Sequence, residues 1–202
     1  MSEKVIIFWD NSNIFIPAQY LALKKDGALL QKAIRIQFDN LYELARAGRE
    51  VLKAICVGSV PPELEHVWRR LRATGVEVEL YERGSGTGKE QGVDQCLQVH
   101  MLRALADIQE PVTAVILTGD GAGFSDGIGF HSDLERMFNK GWGIEAISWD
   151  AACSKKLKEW AKEVGIYVPL DKYYDSITFI ERGRQAKALV MRHRGRAVPK
   201  KQ

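Results

Sequence analysis

The sequence predicts an α/β fold, a parallel sheet of five strands covered by helices on both faces. Three observations carry this. Apolar runs of strand length alternate along the chain with longer segments of helical spacing, the pattern of right-handed βαβ units. The first run, Val5-Ile6-Ile7-Phe8-Trp9, stops abruptly at Asp10-Asn11-Ser12-Asn13. A short unbroken apolar run bounded by turn formers is a strand buried on both faces. A second such run, Val112 to Leu117, stops in the same way at Thr118-Gly119-Asp120-Gly121.

The remaining elements follow in order. Gln31 to Ala47 predicts a helix closed by Gly48. Leu52 to Val57 is the second strand, and Pro61-Pro62 opens a helix that runs to about Thr74 and stops at Gly75. Val76 to Tyr81, with Val76, Val78 and Leu80 alternating, is the third strand. Arg83 to Gly92 is a polar, glycine-rich loop. Val93 to Asp107 carries Val93, Leu97, Met101 and Leu105 at helical spacing. Val112 to Leu117 is the fourth strand, and Gly119 to Phe130 a long glycine-rich loop. Ser132 to Lys140 is a helix closed by Gly141, Gly143 to Ser148 the fifth strand, and Ala151 to Val164 the last clear helix. Ile166 to Pro169 is a short extended piece.

Such strands fit the order 3-2-1-4-5, a Rossmann-like three-layer αβα sandwich. Its switch point lies between the strands that end in Asp10 and Asp120. Open α/β sheets bind ligands at that crevice, outside the carboxyl ends of the strands.

The 202 residues, 46% hydrophobic and 27% charged, are enough for one buried core and exclude a disordered chain. No apolar stretch reaches the roughly 18 residues of a membrane span. Met1-Ser2-Glu3-Lys4 leads directly into the first strand, so no signal peptide is expected. Cys56, Cys96 and Cys153 are far apart and form no C-x-x-C pair. They predict a reducing, cytoplasmic setting, with each thiol a small buried hydrophobe. Residues 182–202 hold Arg182, Arg184, Lys187, Arg192, Arg194, Arg196, Lys200, Lys201 and no acid, so a net +3 chain divides into a +8 tail and a −5 body. The expected division is therefore a domain over 1–181 and a basic tail over 182–202, which suits a polyanionic partner or a solvated terminus.

Four aspartates are candidates for one site: Asp10, Asp94, Asp120 and Asp133. Each also has a local reading. Asp10 and Asp120 are turn formers, and Asp94 suits the positive end of its helix. Asp133 lies within Ser132-Asp133-Leu134-Glu135, a capping-box pattern. A shared edge would concentrate negative charge, which is costly without a cation. Hard divalent ions take oxygen ligands, and a pair of them can activate water and stabilise the leaving oxygen of a phosphodiester. The histidines His66, His100, His131 and His193 show no metal spacing; His100 reads as a packed helix residue and His131 as a solvated loop residue. Gly84-Ser85-Gly86-Thr87-Gly88-Lys89 is not a phosphate loop, because Arg83 and Glu90 replace its required Gly and Ser or Thr. Trp9 and Trp149 precede Asp10 and Asp150 at strand ends and read as core residues rather than base-stacking platforms. Asp150 reads as an N-cap for the final helix.

Three of these motifs together resemble the NYN domains, of LabA-like type, in the PIN-like nuclease superfamily. Phe8-Trp9-Asp10-Asn11-Ser12-Asn13 is similar to the family's strand followed by Asp-x-x-Asn. Lys89-Glu90-Gln91-Gly92-Val93-Asp94 is similar to its lysine-to-Gly-Val-Asp helix start, and Thr118-Gly119-Asp120 to its Ser-Gly-Asp. The resemblance spans roughly residues 4 to 150. It implies a metal-dependent endoribonuclease in which Asp10, Asp94 and Asp120 hold Mg²⁺ or Mn²⁺ and Asn13 positions Asp10. The family's second acid after Gly-Asp is displaced here, onto Asp133 or its competitor Asp126. Many members carry an acid where His100 stands.

The resulting expectation is hydrolysis of RNA, single-stranded by preference with DNA left open, and phosphate contacts from Arg83, Lys89 and the tail. The rival is a weak or inactive RNA-binding adaptor on the same scaffold. An adhesion-type ion site would need Ser where Ile14 stands, and a phosphatase would need Asp where Ser12 stands. No membrane partner is expected. Ile166 to Ile180 would either pack on the domain or form a homodimer contact.

Overall fold

The computed structural model describes residues 4–59, 65–81, 92–119 and 127–191. Among the described residues there are eight strands, β1 (Lys4–Asp10), β2 (Ile34–Ile36), β3 (Glu50–Ser59), β4 (Glu77–Tyr81), β5 (Thr113–Leu117), β6 (Gly143–Ser148), β7 (Ile166–Pro169) and β8 (Thr178–Ile180). The helices are α1 (Ser12–Lys25), α2 (Phe38–Arg46), α3 (Glu65–Ala73), α4 (Val93–Asp107), α5 (Gly129–Asn139), α6 (Lys155–Val164) and α7 (Tyr174–Ile177). The main sheet is parallel and ordered β4-β3-β1-β5-β6-β7. The five expected strands thus take the expected order. The extended piece Ile166–Pro169 adds a sixth at the β6 edge.

The central strand explains the layering. Along β1, Val5, Ile7 and Trp9 face one way and Ile6 and Phe8 the other, and all five are wholly buried. Side chains alternate across a pleated strand, so two separate cores are needed. On one face Trp9 packs with α1, α2 and α3, and the rings of Trp9, Phe38 and Trp68 follow one another at 5.4 Å per step. On the other, Ile6 and Phe8 meet Leu97 and Met101 of α4, Leu134 of α5 and Leu157 of α6. Trp149 is also core, and its indole N–H donates to the Ile14 carbonyl at 2.8 Å.

Several segments differ from expectation, among them these three. The first is α1, which the sequence does not announce. Its buried stripe is Ser12, Ile14, Ala18 and Ala22, mostly small residues, and Pro17 lies inside it. Small residues carry little hydrophobic signal, and an internal proline argues against a helix. The second is the single helix expected over Gln31 to Ala47. It is instead a 3-10 turn at Gln31–Ala33, strand β2, and then α2. Ile34 and Ile36 pair antiparallel with Ile180 and Thr178 of β8, so a distant partner overrides local propensity. The third is α6, which begins at Lys155 with Ser154 at its N-cap rather than Asp150. Asp150 pairs with Lys158, and its own backbone N–H donates to Asp171 at 2.7 Å.

The segment after β7 is buried within the chain through Leu170, Tyr174, Ile177 and Ile180. The start of the basic tail is committed to the body as well. Arg184 donates to the Thr178 carbonyl at 2.9 Å and approaches Asp26 at 3.5 Å, and Lys187 pairs with Asp175 at 2.6 Å. No helix among the described residues is long and apolar enough to cross a membrane.

One fully buried ion pair ties the strands from below. Arg49, just before β3, meets Glu145 of β6 at 3.0 Å, with side chains 2% and 0% exposed. The guanidinium also donates to the carbonyls of Ala45 and Arg46. Removing one partner strands the other charge in the core, so Arg49→Ala should lower unfolding free energy by about 3–5 kcal/mol. Urea denaturation followed by circular dichroism measures this, and a loss below about 1 kcal/mol, the range of an exposed pair, would contradict it.

Candidate functional site

Asp10 is the last residue of β1 and is only 1% exposed. Its position follows from strand pairing. Asp10 stands beside Val57 of β3, and the Asn11 N–H continues that ladder to the Val57 carbonyl at 2.9 Å. Trp9 stands beside Leu117, so Thr118 follows at the same edge. Helix α1 then starts at once, with the Asn11 carbonyl accepting from Ile14 and Phe15. The Asp10 carboxylate therefore caps a helix N-terminus, where the helix dipole favours an anion.

Asn13 grips both of its oxygens. The Asn13 backbone N–H donates to Oδ1 at 3.2 Å, and the side-chain amide to Oδ2 at 2.5 Å. The Thr118 hydroxyl donates to Oδ2 at 3.4 Å. These three donors are neutral and orient the carboxylate. That charge is felt next door. Burial, and then Asp10, push the Cys56 thiol well above its ordinary pKa.

Gly119 explains the glycine of the Thr-Gly-Asp motif. A Cβ there would stand 2.8 Å from the Ala152 carbonyl oxygen, and the Gly119 carbonyl accepts from the Ser154 N–H at 2.9 Å. The turn after β6 therefore fixes the chain at the point where Asp120 follows. Asp120 itself lies outside the described residues, as do Arg83, Lys89 and Asp126.

The Gly-Val-Asp motif divides its labour in the same way. Gly92 has φ +99°, a left-handed conformation that suits glycine, and its carbonyl accepts from Cys96. Val93 enters the core. Asp94 is exposed on the first turn of α4. One turn on, Gln98 reaches across to α5 and donates to Asp133 at 2.9 Å.

Asp133 is 2% exposed and lies inside α5, which starts at Gly129, about one turn earlier than expected. The capping box is thus not formed, and Ile128 occupies the N-cap. Arg136 pairs with Asp133 at 2.7 Å and also donates to the Gly127 carbonyl at 2.6 Å. His131, expected in a solvated loop, is instead buried in the same helix.

Asp10, Asp94 and Asp133 do not gather into a trio with oxygens within 4.8 Å. Among the described residues the group that does is Glu79 on β4 with Cys96 and His100 on α4. His100 Nε2 lies 2.6 Å from Glu79 Oε1, and the Cys96 thiol donates to Oε2 at 2.9 Å. These two hydrogen bonds, that from Cys96 being the stronger influence, hold the Glu79 carboxyl below its ordinary pKa. Contact with Cys96, more than burial, pushes Tyr81 up to about 12. Sequence reading took Cys96 for a plain hydrophobe and missed Glu79, Gln98, Thr118 and Arg136. The signals available were the i,i+4 pairs Asp94/Gln98 and Cys96/His100 and the i,i+3 pair Asp133/Arg136.

The NYN domain family model matches residues 4–177. NYN domains are generally nucleases acting on nucleic acid, and they typically depend on a divalent metal. No curated protein matches the chain. Among solved structures, a Vibrio parahaemolyticus protein of unknown function superposes with a TM-score of 0.60 at 17% identity, covering 84% of this chain and 94% of that one. That likeness shows the fold.

The buried imidazole gives the site region a pH response. His131 packs on Trp160 with ring centroids 4.9 Å apart. Burial first, and then the Lys156 ammonium, hold its pKa below the ordinary value. The unfolded chain therefore takes up a proton that the folded chain refuses. The stability from this group is complete above about pH 6.5 and is lost as pH falls from there through the lower folded-state value. His131→Leu should flatten the dependence of the urea midpoint on pH in that window, and an unchanged slope would assign the effect to other groups.

Proposed function

Since the chain belongs to the NYN domain family, we propose that it is a divalent-metal-dependent endoribonuclease that hydrolyses single-stranded RNA. The observation that supports this most is the state of Asp10. It is a desolvated carboxylate at the carboxyl edge of the central strand, aimed by neutral donors and a helix N-terminus. Its all-oxygen character suits Mg²⁺ or Mn²⁺, which take one or two carboxylates with water and phosphate oxygens.

In this reading Asp10, Asp94 and Asp120 hold the cation, and Asp133 is the fourth acid. When bound, the cation supplies Lewis-acid stabilisation of the phosphodiester oxygens. The chain's own residues prepare the site. Asn13 fixes the Asp10 carboxylate, and Gly119 lets the β5 edge pass tightly under Ala152 towards Asp120. Gln98 couples the helix that bears Asp94 to Asp133. Arg83, Lys89 and the tail beyond Lys187 contact backbone phosphates, so binding weakens with salt. The nuclease domain is residues 1–181, with 182–202 the basic tail. The three free cysteines accord with a cytoplasmic setting.

One observation favours the second reading, an RNA-binding adaptor. The Asp133 charge is already matched by Arg136, so the fourth acid has less need of a metal. Incubating labelled single-stranded RNA with and without Mn²⁺ separates the two readings, since an adaptor binds and leaves the strand uncut.

Asp10→Asn and Asp120→Asn should each abolish Mn²⁺-dependent cleavage with an unchanged far-UV circular dichroism spectrum. Wild-type cleavage by the purified double variant would sink the nuclease reading. The products should carry 5′-phosphate and 3′-hydroxyl ends. Asn13→Ala should lower kcat about 10–100-fold, the usual cost of losing a group that orients a metal ligand. A kcat equal to wild type in single-turnover assays would remove Asn13 from that role.

A further inference from the structure

We propose that Glu79, Cys96 and His100 form a second cation site, selective for a zinc-class ion and lying on the opposite flank of α4 from Gln98. The three donors come from two elements. Cys96 and His100 are one helical turn apart on α4, and Glu79 faces them from β4. Their ligand atoms, one from each residue, all lie within 4.8 Å of one another. His100 Nε2 and Cys96 Sγ already converge on the two oxygens of one carboxylate, at 2.6 and 2.9 Å. A tetrahedral zinc ion, with bonds of about 2.0–2.3 Å, holds its donors roughly 3.3–3.8 Å apart. The observed group reaches that spacing by opening slightly around an ion.

The donor types set the choice of metal. A thiolate with an imidazole selects zinc-class ions, whereas Mg²⁺ prefers oxygen. The acidic edge at Asp10 and this sulphur- and nitrogen-bearing flank therefore sort different cations. On binding, the Cys96 thiol proton leaves to solvent and the His100 proton resides on Nδ1. The thiolate and carboxylate charges then balance the ion's two positive charges. Tyr81 hydrogen-bonds the Cys96 sulphur, the kind of outer contact that orients a metal ligand. The Glu79 side chain is 41% exposed, so an ion and a completing water can reach the three donors from solvent.

The ion would join β4 to α4 two residues beyond Asp94. It would act as a structural tie that sets the first turn of α4, and its existence does not depend on RNA cleavage.

The test uses the full chain stripped of metal by a chelator and titrated with Co²⁺. A near-ultraviolet thiolate-to-cobalt charge-transfer band should appear, saturate at one ion per chain and be displaced by Zn²⁺. Carboxylate sites give no such band, so Asp10→Asn should leave it intact. Cys96→Ser should eliminate it, and Cys153→Ser should retain it. His100→Ala and Glu79→Gln should weaken Co²⁺ binding at least about 100-fold. Absence of the band in the wild-type chain overturns the proposal, and so does its survival in Cys96→Ser. Unchanged affinity in both His100→Ala and Glu79→Gln overturns it too. Because the readout is spectroscopic, a chain that cuts no RNA can still pass, and a nuclease can still fail.

Discussion

The burial of one carboxylate governs the organisation of this molecule. Asp10 ends a strand that is enclosed on both faces, so it cannot draw on bulk water for its solvation. The protein supplies its own dipoles, among them the Asn13 amide and backbone N–H, the Thr118 hydroxyl and the start of α1. Each substitute depends on a different part of the fold. Asn13 requires α1 to begin immediately after β1, and Thr118 requires β5 to lie directly beside β1. The strand order and the sharp strand-to-helix turn are therefore conditions for keeping that anion at the sheet edge.

The same logic separates the two sides of α4. Its N-terminal turns carry a core stripe, Val93, Leu97 and Met101, flanked by polar residues of two kinds. Gln98 looks towards α5 and its acid, while Cys96 and His100 look towards β4 and Glu79. One helix thus links an oxygen-rich edge and a mixed sulphur, nitrogen and oxygen cluster. The distance between those environments is a few residues of chain, yet their chemistry differs.

Much of the scaffold is legible in the sequence, for a definite reason. Double burial forces strands such as β1 and β5 to be continuously apolar, and the polar residue that ends each run marks the carboxyl edge of the sheet. Helix α4 could be read because its core stripe is made of large residues. Helix α1 could not, because Ala18 and Ala22 do the packing and Pro17 disguises it. Strand β2 could not, because its partner β8 is far away in sequence. At the site, Asp10 with Asn13 was visible as a local motif, and both glycines proved to have steric reasons, a positive φ at Gly92 and a close carbonyl at Gly119. The Arg136 partner of Asp133 was signalled only by an i,i+3 spacing on one helix, a pattern shared by many solvated ion pairs. Glu79 was not visible at all, because its approach to Cys96 and His100 is a contact between β4 and α4 that spacing along the chain does not encode.

The small β2–β8 ladder has a consequence for how the protein is made. Ile34 and Ile36 belong to the first fifth of the chain, and the strand that covers them is supplied near its end. During synthesis the early segment emerges long before its cover exists. The β2 edge then lacks its partner strand until β8 has been made. Formation of the β2–β8 ladder is therefore a late step in assembling this domain.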